Sequence, residues 1–338
     1  MRTVCAMSEQ NSKSDFDHLT PDLVLDLVEE VLPVRCSNIC RPLNSYINRV
    51  YEVGLEDGDA VIAKFYRPGR WSRAALQDEH DFVFELMDAE IPVIPPIKNE
   101  AGRSLHEHGH TYYTLFEKKG GRICDEPDAE QWCELGRLMG RVHLVGQRQP
   151  AAHRITMTPD AVMRQQIEYI MRSGLVAREH QREYEDAVHQ TIQMIAPLFA
   201  DTQVLRIHGD CHRQNIIYRP GESFYMIDFD DMAMGPAVQD VWMLLPGRLQ
   251  DCVREMDLFL SGYETFRPLE RSELRLIESL RAMRFVHFTA WCVRQAADGG
   301  FTRLAPGWGE PAYWQQEIHE LRKQQQEIRD ALEAVMLF

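Results

Sequence analysis

Between residues 204 and 230 two short apolar runs bracket a dense polar loop, and no other segment limits the possible folds of this chain so strongly. Val204-Leu205-Arg206-Ile207 reads as a strand leading into His208-Gly209-Asp210. After four variable residues comes Asn215, followed at once by the apolar Ile216-Ile217-Tyr218. A turn at Arg219-Pro220-Gly221 returns the chain through Phe224-Tyr225-Met226-Ile227, and Asp228 stands where that strand ends. The pattern predicts a hairpin-like element that holds two carboxylates and a carboxamide close together. Gly209 supplies conformational freedom beside Asp210. His208 reads as a structural hydrogen-bonding residue. The spacing of His208, Cys211 and His212 fits no usual transition-metal site.

Two carboxylates and an amide in this order suit phosphoryl transfer. One carboxylate orients an incoming hydroxyl and accepts its proton, while an Asn oxygen and an Asp oxygen hold Mg²⁺ against nucleotide phosphates. Asp210 fits the first role; Asn215 and Asp228 fit the second. The Asp-x₄-Asn spacing is that of the protein-kinase catalytic loop, with His-Gly-Asp where that loop has His-Arg-Asp. Any one of these residues also fits an ordinary polar turn; it is their order and strand context that point to chemistry.

ATP phosphates need a cation, and Lys64 lies mid-strand in Ala60-Val61-Ile62-Ala63-Lys64-Phe65-Tyr66, on one face with Ile62 and Tyr66. A buried ammonium needs an anionic partner. In the helix expected over 72–90, Glu79 falls on the apolar arc of Leu76, His80, Val83, Leu86 and Met87. Asp78, Asp81, Glu85 and Asp88 fall on the opposite, solvated face. A Lys64–Glu79 pair is therefore expected to position ATP, the alternatives being a snorkelling lysine and a peripheral glutamate. No GxGxxG motif precedes Lys64; the corresponding stretch is Leu43–Tyr51, where Ser45 is the candidate donor to the phosphates.

The strand signals lie early and the helical ones late. A polar tail over 1–18 is expected, then a small β-rich lobe over 19–117 with a helix at 20–32 and strands in 46–55, 59–66, 91–105 and 110–118. After the crossing EKKGGRICDEPDAEQ a mostly helical lobe covers 118–338. This is an α+β, two-lobed, protein-kinase-like architecture. The amphipathic segment Trp314–Met336 reads as a packing helix. A net charge of −15 argues against a nucleic-acid partner, and no apolar run reaches the length of a membrane span. The eight scattered cysteines form no CxxC pair and read as reduced thiols, so a cytoplasmic monomer is expected.

The strings HGDCHRQN, MIDFDD, GPAVQDVWMLL, LNSYINRVYEV and VIAKFYRPGRW together resemble the bacterial stress response kinases, which are Ser/Thr protein kinases within the aminoglycoside- and choline-kinase-like superfamily. The likeness runs from about Leu43 to Trp291. It implies Asp210 as catalytic base, Asn215 and Asp228 as Mg²⁺ ligands, and Lys64 and Ser45 near ATP. It also implies Asp240 as a brace that accepts backbone hydrogen bonds from the catalytic loop. Phe229-Asp230 replaces the Phe-Gly of the eukaryotic-type motif, which adds Asp230 as a candidate metal contact. The span from Asp228 to Gly235 is too short for a long activation segment. Two acceptor classes stay open: a protein Ser or Thr, and a small hydroxyl-bearing molecule. An acidic helical lobe suits a cationic small substrate or a basic peptide. A nucleotide-binding pseudokinase scaffold is the third reading, and the presence of Lys64, Asp210, Asn215 and Asp228 argues against it. Arg281 and Arg284 are candidates to support the catalytic residues or to face the substrate.

Overall fold

The computed structural model describes residues 15–45, 47–297 and 306–335. The N-terminal lobe is a five-stranded antiparallel sheet with one helix on its outer face and another beneath it. Helix α1 (Pro21–Val31) starts at Thr20, whose hydroxyl accepts from the N–H of Leu23, with Pro21 in the first turn. Strands β1 (Cys36–Leu43), β2 (Arg49–Leu55), β3 (Ala60–Phe65), β4 (His106–His108) and β5 (Thr111–Glu117) lie in the order β1-β2-β3-β5-β4. Strand alternation divides β3: Val61, Ala63 and Phe65 pack under α1, while Ile62, Lys64 and the following Tyr66 face inward. Val50 and Thr114 flank Lys64 in register.

Two sequence expectations change here. No strand forms over 91–105: that stretch makes only isolated bridges, Val93 to Met226 and Pro96 to Phe116. Pro92, Pro95 and Pro96 supply no N–H, so a continuous ladder cannot form. Strand β1, in contrast, was not expected, and it forms as an edge with a bulge between Cys36 and Cys40. Of the expected tail, residues 1–14 lie outside the described residues. Phe16 is buried beneath the guanidinium groups of Arg49 and Arg67.

Helix α2 (Arg73–Asp88) is capped by Ser72 and turns Phe82, Val83 and Leu86 into the core of the other lobe. Polar contacts fix it there. Arg206 donates to both carboxylate oxygens of Glu85 (2.8 and 2.6 Å), and the His153 N–H donates to Asp78 (2.8 Å). Asp78 and Glu85 thus dock the helix instead of facing solvent.

The large lobe holds α3 (Ala129–Gly146), α4 (Pro159–Arg172), α5 (Gln181–Ile195), α6 (Val238–Trp242), α7 (Val253–Tyr263), α8 (Ile277–Ala297) and α9 (Pro311–Val335). Gly136 and Gly140 of α3 meet α7 so closely that a Cβ at either would lie within 2.6 Å of the α7 backbone. Trp314, Ile318, Leu321 and Ile328 bury one face of α9. Four short strands carry the polar loop: β6 (Leu205–Ile207) pairs with β9 (Ala233–Gly235), and β7 (Ile216–Tyr218) pairs with β8 (Phe224–Met226). The flanking strands β6 and β7 therefore belong to different two-stranded sheets, and the polar loop crosses between them. Among the described residues no helix is long and apolar enough to cross a membrane.

Candidate active site

The loop after β6 is held from below. Asp240 on α6 is fully buried, and its side chain accepts from the backbone N–H of His208 (2.7 Å) and of Gly209 (2.8 Å). It also contacts His143 Nε2 at 3.1 Å, while His143 Nδ1 lies 2.9 Å from the Tyr263 hydroxyl, to which Arg267 donates. Burial holds the His143 pKa below its ordinary value despite the opposing hydrogen bond and charge of Asp240. A neutral ring then donates from Nε2 to Asp240 and accepts from Tyr263 at Nδ1. Gly209 takes φ +86°, and a Cβ there would lie 2.1 Å from the Asp231 carbonyl oxygen, so only glycine fits. His208 donates from Nε2 to the Ile227 carbonyl (2.8 Å), which ties the loop to the strand end before Asp228. Cys211 points into the core instead.

The loop brings Asp210, Asn215 and Asp228 together. Asn215 donates from Nδ2 to the Asp210 carbonyl (2.9 Å), and its own carbonyl accepts from the Ile227 N–H (3.0 Å). Asp228 sits in the left-handed region at φ 61°, which turns its half-exposed carboxylate back toward β3. Lys64 Nζ donates to it at 2.7 Å. Burial opposes the lysine charge, but Asp228, Asp230 and Glu79 outweigh it and raise its pKa. Asp210 accepts from Arg284 on α8 at 2.7 Å and lies 3.4 Å from His212 Nε2. Burial would raise its pKa, yet the hydrogen bond from His212 and the charge of Arg284 hold it at about 2.

The cations and the turn residue at this centre differ from those expected. Glu79 does point inward and is buried, but Arg154 is its partner at 2.8 Å, with the Tyr66 hydroxyl at 3.3 Å. Arg154 reaches the glutamate first because its planar fork also donates to the carbonyls of Ala75 and Asp230. Lys64 is left to Asp228. Asp230 is buried, and Asn48 (3.1 Å) and Arg70 both donate to its Oδ2, while Oδ1 has no hydrogen-bond partner among the described residues and lies 3.7 Å from Lys64 Nζ. Burial acts against its ionisation, but Arg70, Lys64 and Arg154 hold its pKa far below the usual range. Ser45 lies half-buried in the β1–β2 turn, and Asn48 is the turn residue that reaches this centre. Arg281 packs over Trp242 and pairs with Glu278, away from Asp210.

Asp210 opens on a cavity of about 320 Å³ bounded by Trp71, Met157, Met283, Arg70, Arg284 and Arg294, among others. Its cations contrast with the acidic lobe expected around an acceptor.

A family model for the phosphotransferase enzymes matches residues 39–277. Stress response kinase A of Escherichia coli (strain K12) is 35% identical over 305 residues, which cover 90% of this chain and 92% of that protein. Serine/threonine protein kinase RdoA of Salmonella typhimurium (strain LT2) is 33% identical across 89% of this chain and 91% of its own. Among solved structures, amicoumacin kinase hAmiN, in complex with AMP-PNP, Ca²⁺ and Ami, superposes with a TM-score of 0.71 at 18% identity, covering 94% of both chains. A loop braced by a buried carboxylate, a strand lysine on Asp228 and a family match over most of both lobes agree: the chain belongs to the phosphotransferase enzyme family and is a kinase.

Proposed function

We propose that the protein is a Mg²⁺- and ATP-dependent Ser/Thr protein kinase acting in a stress response, with Asp210 as the base. The observation that carries this reading is the convergence of Asp210, Asn215, Asp228 and Lys64 beside a cavity onto which Asp210 opens. The names and identities of the bacterial relatives support the protein substrate and the stress-linked role.

Asn215 and Asp228 suit Mg²⁺ because both offer hard oxygen donors. The Asn215 amide nitrogen is taken by the Asp210 carbonyl, which leaves its oxygen for a metal; Asp228 uses one carboxylate oxygen on Lys64 and keeps the other. When bound, Mg²⁺ neutralises charge on the nucleotide phosphates. The nucleotide phosphates would take Lys64 in place of Asp228. Asp210 receives the acceptor hydroxyl by hydrogen bond. The acceptor oxygen bonds to the γ-phosphorus as the bond from that phosphorus to the β–γ bridging oxygen breaks. The hydroxyl proton passes to Asp210, and ADP leaves. A carboxyl held at about 2 is a weak base at neutral pH. Its contribution is therefore chiefly orientation, with proton acceptance late in a loose transition state.

A small-molecule kinase is the second reading, favoured by the size of the cavity, about 320 Å³, near the lower end for small-ligand sites. Radiolabelled γ-phosphate transfer from Mg²⁺-ATP decides between them, with a panel of protein acceptors beside amino alcohols and aminoglycosides. Label on protein, reduced about 10²- to 10⁴-fold in Asp210→Asn with ATP binding retained, is the expected result. Label on small molecules alone would refute the protein-kinase reading, and near-normal transfer by Asp210→Asn would refute the base.

A further inference from the structure

One stripe of α8 runs along the acceptor cavity, which Arg284, His287 and Arg294 line, and on to Trp291 beside a second cavity. Arg284, His287, Trp291 and Arg294 recur at i, i+3, i+7 and i+10, so they share a face. The first pairs with Asp210, and the last lies ten residues on, about 15 Å along the helix axis. This second cavity, of about 300 Å³, lies on the far side of Arg70 and Arg294, which line both. Its remaining walls include Arg67 and Trp291, and among the described residues no Asp or Glu lines it. In a chain whose net charge is −15, this path out of the site is locally cationic.

Most arginines along the path are already engaged. Arg284 holds Asp210, Arg70 holds Asp230 and Asp231, and Arg67 reaches Asp15 at 3.2 Å. Arg294 is different. Its guanidinium lies 5.0 Å over the Tyr169 ring, and among the described residues it meets no carboxylate. Burial, with the nearby charges of Arg70 and Arg67, holds its pKa below the ordinary arginine value against the opposing influence of Tyr169 and Asp231. A surface arginine is commonly just solvated, but one stacked on a ring at the junction of two cavities is pre-organised. Its planar fork is matched to a carboxylate or phosphate.

We propose that Arg294 recognises an anionic group on the acceptor, so that the kinase selects a Ser or Thr flanked by an acidic side chain. This rests on the protein-kinase reading above. An extended peptide advances about 3.3 Å per residue, so an acceptor hydroxyl at Asp210 places the acidic residue roughly three to five positions away. Arg294 acts through binding and is not a catalytic residue.

The test uses the full chain with Mg²⁺-ATP and peptides carrying one Ser. A single Glu is scanned over five positions on either side and compared with Ala and Lys at the same places; free serine and glycerol 3-phosphate, small molecules that carry both a hydroxyl and an anionic group, form a separate arm. We expect one Glu position to raise kcat/KM at least about fivefold over Ala, with less advantage at high salt. Arg294→Ala should abolish the preference through KM of the acidic peptide rather than kcat, Arg294→Lys should restore part of it, and Arg294→Glu should shift it toward Lys. ATP affinity and far-UV circular dichroism establish that the variants are folded. Preference for Lys or Ala, or a Glu preference that survives Arg294→Ala, would overturn the inference and leave the kinase reading intact. Label on free serine or glycerol 3-phosphate but on no peptide would overturn the peptide form and the protein-kinase reading together. Transfer to none of these acceptors would overturn the inference too.

Discussion

Replacing Asp240 by alanine should cost this protein stability and activity together, although the residue never touches substrate. Three buried donors converge on its side chain: the N–H groups of His208 and Gly209, at 2.7 and 2.8 Å, and His143 Nε2, at 3.1 Å. Leaving a buried donor unsatisfied costs about 1–3 kcal/mol, and all three sit where water cannot replace the lost acceptor. A loss of about 3–9 kcal/mol follows, a large share of the roughly 5–15 kcal/mol that holds a domain folded. At roughly 2–4 °C per kcal/mol for a lobe of this size, Tm should fall by on the order of 10 °C. Asp240→Asn keeps one acceptor oxygen and should lose about half as much. Thermal unfolding followed by circular dichroism measures the shift. Single-turnover phosphate transfer on the folded variant at low temperature measures the loop. We expect transfer to fall more than ATP affinity, because the loop carries Asp210 while Lys64 is on another lobe. A variant that melts within about 2 °C of the parent, or that melts early yet transfers phosphate normally, would show that Asp240 is no brace.

Asp228→Ala should weaken Mg²⁺-ATP binding at least about tenfold, as one of two protein oxygen donors is lost; unchanged binding by calorimetry would count against the metal role. Arg154→Met should destabilise the fold by about 3–5 kcal/mol by leaving Glu79 buried without its cation, and Glu79→Gln in the same chain should recover much of it in denaturant titration. Arg284→Ala tests the charge on Asp210, whose folded pKa of about 2 lies below its ordinary value of about 3.9. A depressed carboxyl contributes stability above its unfolded pKa and loses it as pH falls through the folded one. Without Arg284 the folded pKa rises, so the acid-unfolding midpoint should move to higher pH; an unmoved midpoint would place the control of Asp210 elsewhere.

Local signals carried the lobes and most helices. Thr20-Pro21 and Ser72 are caps that can be read one residue at a time, and β3 alternates as a strand should. Strand β1 escaped because CSNICRPL buries no residue fully and has no clean alternation; what makes it a strand is pairing with β2, which the local sequence does not encode. The reverse happened at IPVIPPIKNEAGRSL, where apolar character suggested a strand and the prolines removed the donors a ladder needs.

The same division runs through the site. Asp210, Asn215 and Asp228 were legible because a stretch of nineteen residues with two short strands holds all three, so spacing stands in for distance. Their cations were not. A helical wheel shows that Glu79 faces inward, but it does not show what waits there. Arg154 is 75 residues away in sequence and Arg284 is 74 residues from Asp210. Asp78 and Glu85 point away from the apolar arc as expected, yet His153 and Arg206 of the other lobe occupy that space. The consequence is mechanical. With α2 pinned to the large lobe through Asp78, Glu79 and Glu85, the helix glutamate is spent on interlobe docking, and Lys64 is free to answer to Asp228. Under the proposed mechanism the lysine exchanges one anion, Asp228, for another, the nucleotide phosphates, without the helix having to move. That arrangement suits a kinase whose short segment between Asp228 and Gly235 leaves little room for an activation loop to drive such a movement.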